Sequence, residues 1–344
     1  MYAVQISKSP RNQIQKGAQT SMSSNPVYSP EVVQCRRNLK SANIQTYLPC
    51  IEKVEKGMKA AGNVSSTCNA YTNKLCTFAG WCVAYHNSVS FTDVEVDDVR
   101  EYVNFLRDSL HLGPNTINIY LAAVRKMFQF LRNKELSKRE LPDLIVDIKL
   151  PRVPAVQQVT AMISACADTL ARLLVILLIS TGMRISEAAN LRFCDIDRHS
   201  RQILIPKSKG HIERMVPLSQ SSIDALERYC NEYNENHPQE RLKKDDYVFL
   251  QPNQPARPMT SAKLRKIFIE VQECAGLSDY RYRCHSCRHY FALQYYLQSH
   301  DALLIMQLLG HKTLKATEVY LRLASAIEVQ QQYVNPGDMA SQKV

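Results

Sequence analysis

Four short patterns in the second half of the chain bring together residue types that can act on a phosphate. Thr181-Gly182-Met183-Arg184-Ile185-Ser186-Glu187 sets an arginine just past an apolar run, with a carboxylate three residues on. Lys209 lies in Pro206-Lys207-Ser208-Lys209-Gly210, between two β-prone runs. His285-Ser286-Cys287-Arg288-His289 is the third pattern, and Leu308-Leu309-Gly310-His311, followed nine residues later by Tyr320, is the fourth. An arginine presents a planar fork that stays charged and pairs bidentately with phosphate. Lysine and histidine can move protons, and a tyrosine hydroxyl is a nucleophile once its proton leaves. Fixed cations around a phosphodiester stabilise the negative charge that builds on its oxygens during attack. Each pattern alone also has an ordinary reading. An arginine after a buried helix caps its carbonyls, a basic hairpin tip is solvated, and His285 and Arg288 merely share a helical face.

The elements that must position these residues are mostly helices. Leu173 to Ile179 is a continuous apolar run of seven residues, which suits a buried helix ending at Gly182. Gln202-Ile203-Leu204-Ile205 and Ile212 to Leu218 read as a β-hairpin with Gly210 at the turn. Ser219 and Thr260 are N-cap residues for later helices. In the first half, a helix runs from near Ile44 to before Gly62-Asn63. Cys68, Tyr71, Leu75, Phe78, Cys82 and Tyr85 form one apolar stripe of a second helix. Val99, Val103 and Leu106 mark a third, and Ile117, Leu121, Val124, Phe128 and Leu131 a fourth after Gly113-Pro114. Lys149-Leu150-Pro151-Arg152-Val153-Pro154 reads as an extended interdomain linker.

The expected organisation is therefore a flexible N-terminal tail over 1–43, an all-α domain over 44–148, a linker over 149–155, a second domain over 156–335 and a short tail over 336–344. The chain has 344 residues, of which 45% are hydrophobic and 22% charged, enough for two packed cores. The longest apolar run falls far short of the ~20 residues that a bilayer span needs, and the first residues lack a secretion signal. A cytoplasmic protein without membrane association is the expectation. The net charge of +11 is spread as +3 over residues 1–30, +3 over 31–150 and +5 over 151–344, which suits a polyanion held along an extended surface.

Eleven cysteines without framework spacing point to reduced thiols. Cys284-His285-Ser286-Cys287 contains half a zinc motif, with Cys274 upstream, but there is no second Cys-x-x-Cys to complete four ligands. Packed side chains are the better reading of these cysteines. No metal and no other cofactor is expected.

Taken together, the order and spacing of the series Arg184 … Lys209 … His285-x-x-Arg288 … Gly310-His311 … Tyr320 resemble those of the tyrosine recombinase (phage integrase) family. The match is strong from about Leu173 to Tyr333 and looser over the first four helices, which look like the family's core-binding domain. The stretch from Phe78-Ala79-Gly80-Trp81-Cys82 to Asp98-Val99-Arg100-Glu101-Tyr102 is similar to Cre, whereas Leu308-Leu309-Gly310-His311 is closer to Xer-type members. Cys287 inside His285-x-x-Arg288 is a mild departure from the commoner apolar middle residue.

The resemblance implies a mainly α protein. A SAM-like all-α core-binding domain and a helical catalytic domain with a small antiparallel β-sheet would form a C-shaped clamp on duplex DNA. It implies Tyr320 as nucleophile, because this tyrosine alone stands nine residues after a Gly-His. Arg184 and Arg288 would clamp the non-bridging oxygens of the scissile phosphate. Lys209 would protonate the departing 5′ oxygen, His285 and His311 would hydrogen-bond the phosphate, and Glu187 would support Arg184. The implied activity is site-specific DNA recombination through a covalent 3′-phosphotyrosyl intermediate, without metal or ATP, at a specific site in double-stranded DNA. It would serve the integration, excision or resolution of an element such as a mobile one. The implied assembly is a synaptic tetramer joined through the helix after Tyr320, whose stripe is Leu323, Ile327 and Tyr333. Residues 1–43 look too short for the separate arm-binding domain of some phage integrases. An inactive relative that only binds DNA, and a type IB topoisomerase that only relaxes it, are the alternatives. The target sequence, the element served and any accessory proteins are not written in the chain.

Overall fold

A computed structural model describes residues 29–147, 150–206, 212–251 and 254–332. The chain divides into two compact units, Met1–Asp147 and Ile148–Val344. The first is all-helical: α1 (Pro30–Ser41), α2 (Leu48–Ala60), α3 (Ser65–Tyr85), α4 (Val96–Asn104) and α5 (Pro114–Arg132). The last four lie where the apolar stripes put them. Helix α1 corrects the expectation of a flexible tail across residues 1–43. The Ser29 hydroxyl accepts from the Val32 amide and Pro30 opens the first turn, both common N-terminal devices. Val32 and Leu39 are buried and Cys35 packs beside them, a stripe too short to stand out among Ser, Asn and Gln. Gly80 on α3 lets α1 come close, because a Cβ there would stand 2.5 Å from the Leu39 carbonyl oxygen. The unit's core is aromatic. Phe78 stacks on Trp81 and Phe91, and Tyr102 packs beside both Phe78 and Trp81.

The second unit runs α6 (Val156–Ser164), α7 (Thr169–Thr181), α8 (Ile185–Asn190), β1 (Ile196–Asp197), β2 (Gln202–Ile205), β3 (Arg214–Pro217), α9 (Gln220–Asn236), β4 (Leu250–Gln251), β5 (Gln254–Pro258), α10 (Ser261–Cys274), α11 (Cys284–Ser299), α12 (Ala302–Leu309) and α13 (Glu318–Gln332). Helix α7 is the hub. Leu173 to Leu178 are all buried, and α9, α10 and α11 pack around it, as befits a helix apolar on every face. Each such leucine contributes about 1.5–3 kcal/mol relative to exposure. Asp168 caps its start, accepting from the Ala171 amide at 2.6 Å. Ser219 and Thr260 cap α9 and α10 as their residue types suggest.

Strands β1, β2 and β3 form an antiparallel sheet in which Ile203 faces Val216 and Ile205 faces Arg214. The turn that joins β2 to β3, with Lys209 in it, lies outside the described residues. The small β4–β5 pair was not legible in the sequence, because a two-residue strand carries no alternation. Tyr333, expected on the stripe of the last helix, also lies outside the described residues, as do residues 1–28.

Gly182 ends α7 with φ +61°, and a Cβ there would stand 2.4 Å from Cδ1 of Phe291 on α11. Both the left-handed backbone and the close approach require glycine. Gly182→Ala should destabilise the protein by about 2–5 kcal/mol, combining the αL cost with overpacking. Urea unfolding followed by far-UV circular dichroism checks this, and an unchanged midpoint would mean that Phe291 yields without cost.

Candidate active site

The three arginines nearest the site differ in what holds them. Arg184 stands at the N-cap of α8, where its amide donates to Glu187 Oε2 at 2.7 Å and its Nη1 donates to Oε1 at 3.0 Å. Glu187 therefore supports Arg184 through both backbone and side chain. Its carboxylate is also gripped from β3. Arg214 Nη1 and Nη2 donate to Oε1 and Oε2 at 3.1 and 2.7 Å, and Arg214 Nε donates to the Leu308 carbonyl at 2.8 Å. Burial works against the Glu187 carboxylate, but the hydrogen bonds and charge of Arg214, with help from Arg184, hold its pKa down to about 2. Arg214 thus ties the hairpin to α8 and to the end of α12, which leads into Gly310-His311. The sequence did not single it out for a role. The available signal was its place on the inward face of an alternating strand, two residues before buried Val216. An arginine at such a position needs a buried partner.

Arg288 is 1% exposed. Its Nη1 donates to the Gly182 carbonyl at 2.8 Å and its Nη2 to the Leu309 carbonyl at 2.5 Å. It thereby satisfies the orphan carbonyls at the ends of α7 and α12. Two of its five N–H groups are used in this way, and the buried Nε has no partner among the described residues. Donors therefore remain for a ligand. Burial and the charges of Arg184 and Arg214 push its pKa down to about 9, which leaves it cationic at neutral pH.

Around these cations sits a series of rings. His285 and His289, one turn apart on α11, meet edge-on with centroids 4.5 Å apart. His289 lies 5.6 Å from the Tyr320 ring, and its Nδ1 is 3.0 Å from the Tyr320 hydroxyl. His311 lies nearly parallel to Tyr320 at 6.4 Å, with its Nδ1 3.0 Å from the hydroxyl of buried Thr317. Burial lowers the pKa of all three histidines, with Arg288 adding to the effect on each; His289 and His311 fall to about 4. They are neutral at physiological pH. Tyr320 is 2% exposed, near the start of α13, which packs on α11. Burial raises its phenol to about 12, more than Arg288 and Arg184 lower it. The structure thus brings together Arg184, Glu187, His285, Arg288, His311 and Tyr320, and adds Arg214 and His289. Lys209 is outside the described residues. Cys284 and Cys287 are buried in the surrounding apolar core, as packed side chains would be, whereas Cys274 is exposed.

The model of the phage integrase family matches residues 154–326, and that of the phage integrase N-terminal SAM-like domain matches residues 55–135. Tyrosine recombinase XerC of Pediococcus pentosaceus is 28% identical over 264 residues, covering 74% of this chain and 86% of that protein. Tyrosine recombinase XerD of Vibrio vulnificus is 25% identical over 294 residues, covering 83% and 94%. Among solved structures, the XerH site-specific recombinase bound to palindromic difH substrate in its post-cleavage complex superposes with a TM-score of 0.61. It is 23% identical, with 88% of this chain and 89% of that one covered. The Tn1549 transposon integrase in complex with transposon right end DNA gives 0.62 at 18% identity, covering 82% and 99%. The fold is that of these recombinases. With its catalytic-domain match spanning half of its length and a SAM-like helical unit before it, the chain belongs to the phage integrase family, the tyrosine recombinases.

Proposed function

We propose that the protein recombines DNA at a specific site, with Tyr320 as the nucleophile. The observation that carries this is that Tyr320, alone among the tyrosines of the described residues, lies within the combined field of Arg184 and Arg288, both of which act on its phenol. In this reading the two arginines hold the non-bridging oxygens of the scissile phosphate, and Arg288 keeps donors free for the task. Glu187 and Arg214 fix Arg184 in place. His285 and His311 hydrogen-bond the phosphate, and Lys209 delivers a proton to the 5′ oxygen. Tyr320 Oη bonds to phosphorus, the P–O5′ bond breaks, and a 3′-phosphotyrosine forms beside a free 5′ hydroxyl. One phosphoester replaces another, so rejoining to a different strand needs no ATP.

Duplex DNA is the partner, and the basic charge spread over both units supports long contact with phosphates. A supercoiled plasmid carrying two copies of the sequence flanking the gene tests the reading. Exchange that depends on the site is expected. Relaxation that ignores the site would mean a topoisomerase, and binding without any adduct would mean an inactive relative. The chromosomal or mobile-element role follows from which flanking sequence is exchanged. Among the described residues no helix is long and apolar enough to cross a membrane.

The helix after Tyr320 is proposed to join four protomers in a synapse. Leu323 packs against the unit's own core at the start of α13, so the handover to a neighbour would involve the later part of the helix. Truncation after Arg322 should weaken cooperative binding and synapsis more than binding to a single site. Unchanged cooperativity in a gel-shift titration would reject the exchange.

A further inference from the structure

We propose that His289 is the general base for Tyr320, accepting the phenolic proton at Nδ1 while Oη bonds to phosphorus. The inference rests on Tyr320 being the nucleophile and gives a role to a residue that the Arg … Lys … His-x-x-Arg … Gly-His … Tyr series does not include.

The hydroxyl of Tyr320 makes one hydrogen bond among the described residues, to His289 Nδ1 at 3.0 Å. The direction of that bond follows from the burial of both groups. A phenol raised to about 12 keeps its proton, and an imidazole lowered to about 4 is neutral, so the phenol donates and Nδ1 accepts. The opposite tautomer would strand the phenolic proton in a closed pocket, at a cost of about 1–3 kcal/mol. Neither neighbouring histidine has this contact. His285 touches the His289 ring, and the Nδ1 of His311 is engaged with Thr317. The charged and titratable groups that bear on His289 are His285 and Arg288 on its own helix, with Tyr320 on α13.

A base this weak cannot take a proton from a resting phenol, so Tyr320 stays inert without DNA. Two changes on binding lessen the obstacle. Burial is the main cause of the low His289 pKa, with His285 and Arg288 adding to it, and a phosphate anion held by Arg184 and Arg288 offsets the part that is due to charge. As the Oη–P bond forms, electron density leaves Oη and its proton becomes strongly acidic, so transfer occurs within the transition state. The phenolic proton then resides on His289 as imidazolium, and the 5′ oxygen leaves with the proton supplied by Lys209. In rejoining, a 5′ hydroxyl attacks phosphorus and the imidazolium returns its proton to departing Oη.

The test is single-turnover adduct formation on a suicide substrate whose bridging 5′ oxygen is replaced by sulfur. A thiolate leaves without a proton, so the acid drops out of the measurement. His289→Ala should bind the site normally in a gel shift and form adduct roughly 10²-fold more slowly, with added imidazole restoring the rate. His289→Asn places an amide oxygen near the Nδ1 position but cannot carry the proton, and should be equally slow. It also decides the matter if the alanine variant proves unfolded. An asparagine variant that cleaves at the parent rate would reduce His289 to a hydrogen-bond support and overturn the proposal. An alanine variant that cleaves faster than the parent would make His289 a latch on Tyr320, overturning it equally. Adduct formation by Tyr320→Phe would instead locate the failure in the choice of nucleophile.

Discussion

Tyr320→Phe should form no covalent protein–DNA adduct while binding its site with nearly unchanged affinity. The substitution removes one oxygen from a ring that is 2% exposed and packed among apolar neighbours, so the shape of the core is kept. The loss is the hydrogen bond to His289 Nδ1, worth about 1 kcal/mol and too small to unfold a domain of this size. The chemical effect is total, because a phenyl ring has no atom to attack phosphorus. Denaturing electrophoresis of a nicked, end-labelled substrate checks the result. An adduct that survives would assign the nucleophile to another tyrosine; Tyr290, Tyr295 and Tyr296 on α11 are then the first to replace. The burial of Tyr320 adds a second expectation to the same experiment. In the DNA-free protein the hydroxyl is closed off, so reagents that modify tyrosine should reach exposed Tyr280 before Tyr320.

The series proposed to act on phosphate could be singled out in the sequence because phosphate chemistry restricts both residue type and order. Arg184 and Glu187 fall at the start of a helix, where a carboxylate three residues on meets the N-cap amide. His285 and Arg288 fall one turn apart on one helical face. Arg214 and His289 were less legible for a common reason: their roles lie in what they touch across the fold. Arg214 acquires its meaning from Glu187 and Leu308, which stand 27 and 94 positions away. His289 acquires its meaning from Tyr320, which is 31 positions away. Helix α1 was hidden differently. Its stripe of Val32, Cys35 and Leu39 is narrow, and it docks because Gly80 leaves room for the Leu39 backbone. A glycine inside a helix suggests close approach but does not say which segment approaches.

The arrangement also explains how a cation cluster can persist before DNA arrives. Arg184, Arg214 and Arg288 lie close enough for each of the first two to depress the pKa of the third. Among the described residues one carboxylate, Glu187, is shared between Arg184 and Arg214, and Arg288 is held by backbone carbonyls instead. Positive charge is therefore in excess at the site. A phosphodiester that enters such a site would meet cations already held in place, so little reorganisation would be needed.

Lys209→Ala should slow cleavage of ordinary DNA by about 10²–10⁴-fold, the usual contribution of a positioned general acid. The lysine lies outside the described residues, but the strands on either side are fixed. Ile205 pairs with Arg214, and Arg214 is locked to Glu187 beside Arg184. The strands that flank Lys209 in the chain are therefore anchored to the support of Arg184. An alkoxide leaving from the 5′ position is a poor leaving group without a proton, whereas a thiolate needs none. On a substrate with bridging 5′ sulfur, Lys209→Ala should recover close to the parent rate. Arg184→Ala should not recover, because the clamp proposed for it acts on the non-bridging oxygens, which the sulfur leaves unaltered. The same substrate separates the two proton transfers, since loss of His289 should persist on it while loss of Lys209 does not. Little effect on either substrate would make Lys209 an ordinary hairpin lysine. Equal impairment on both would make it an electrostatic clamp or a folding element, and the acid would then have to be sought at His285 or His311.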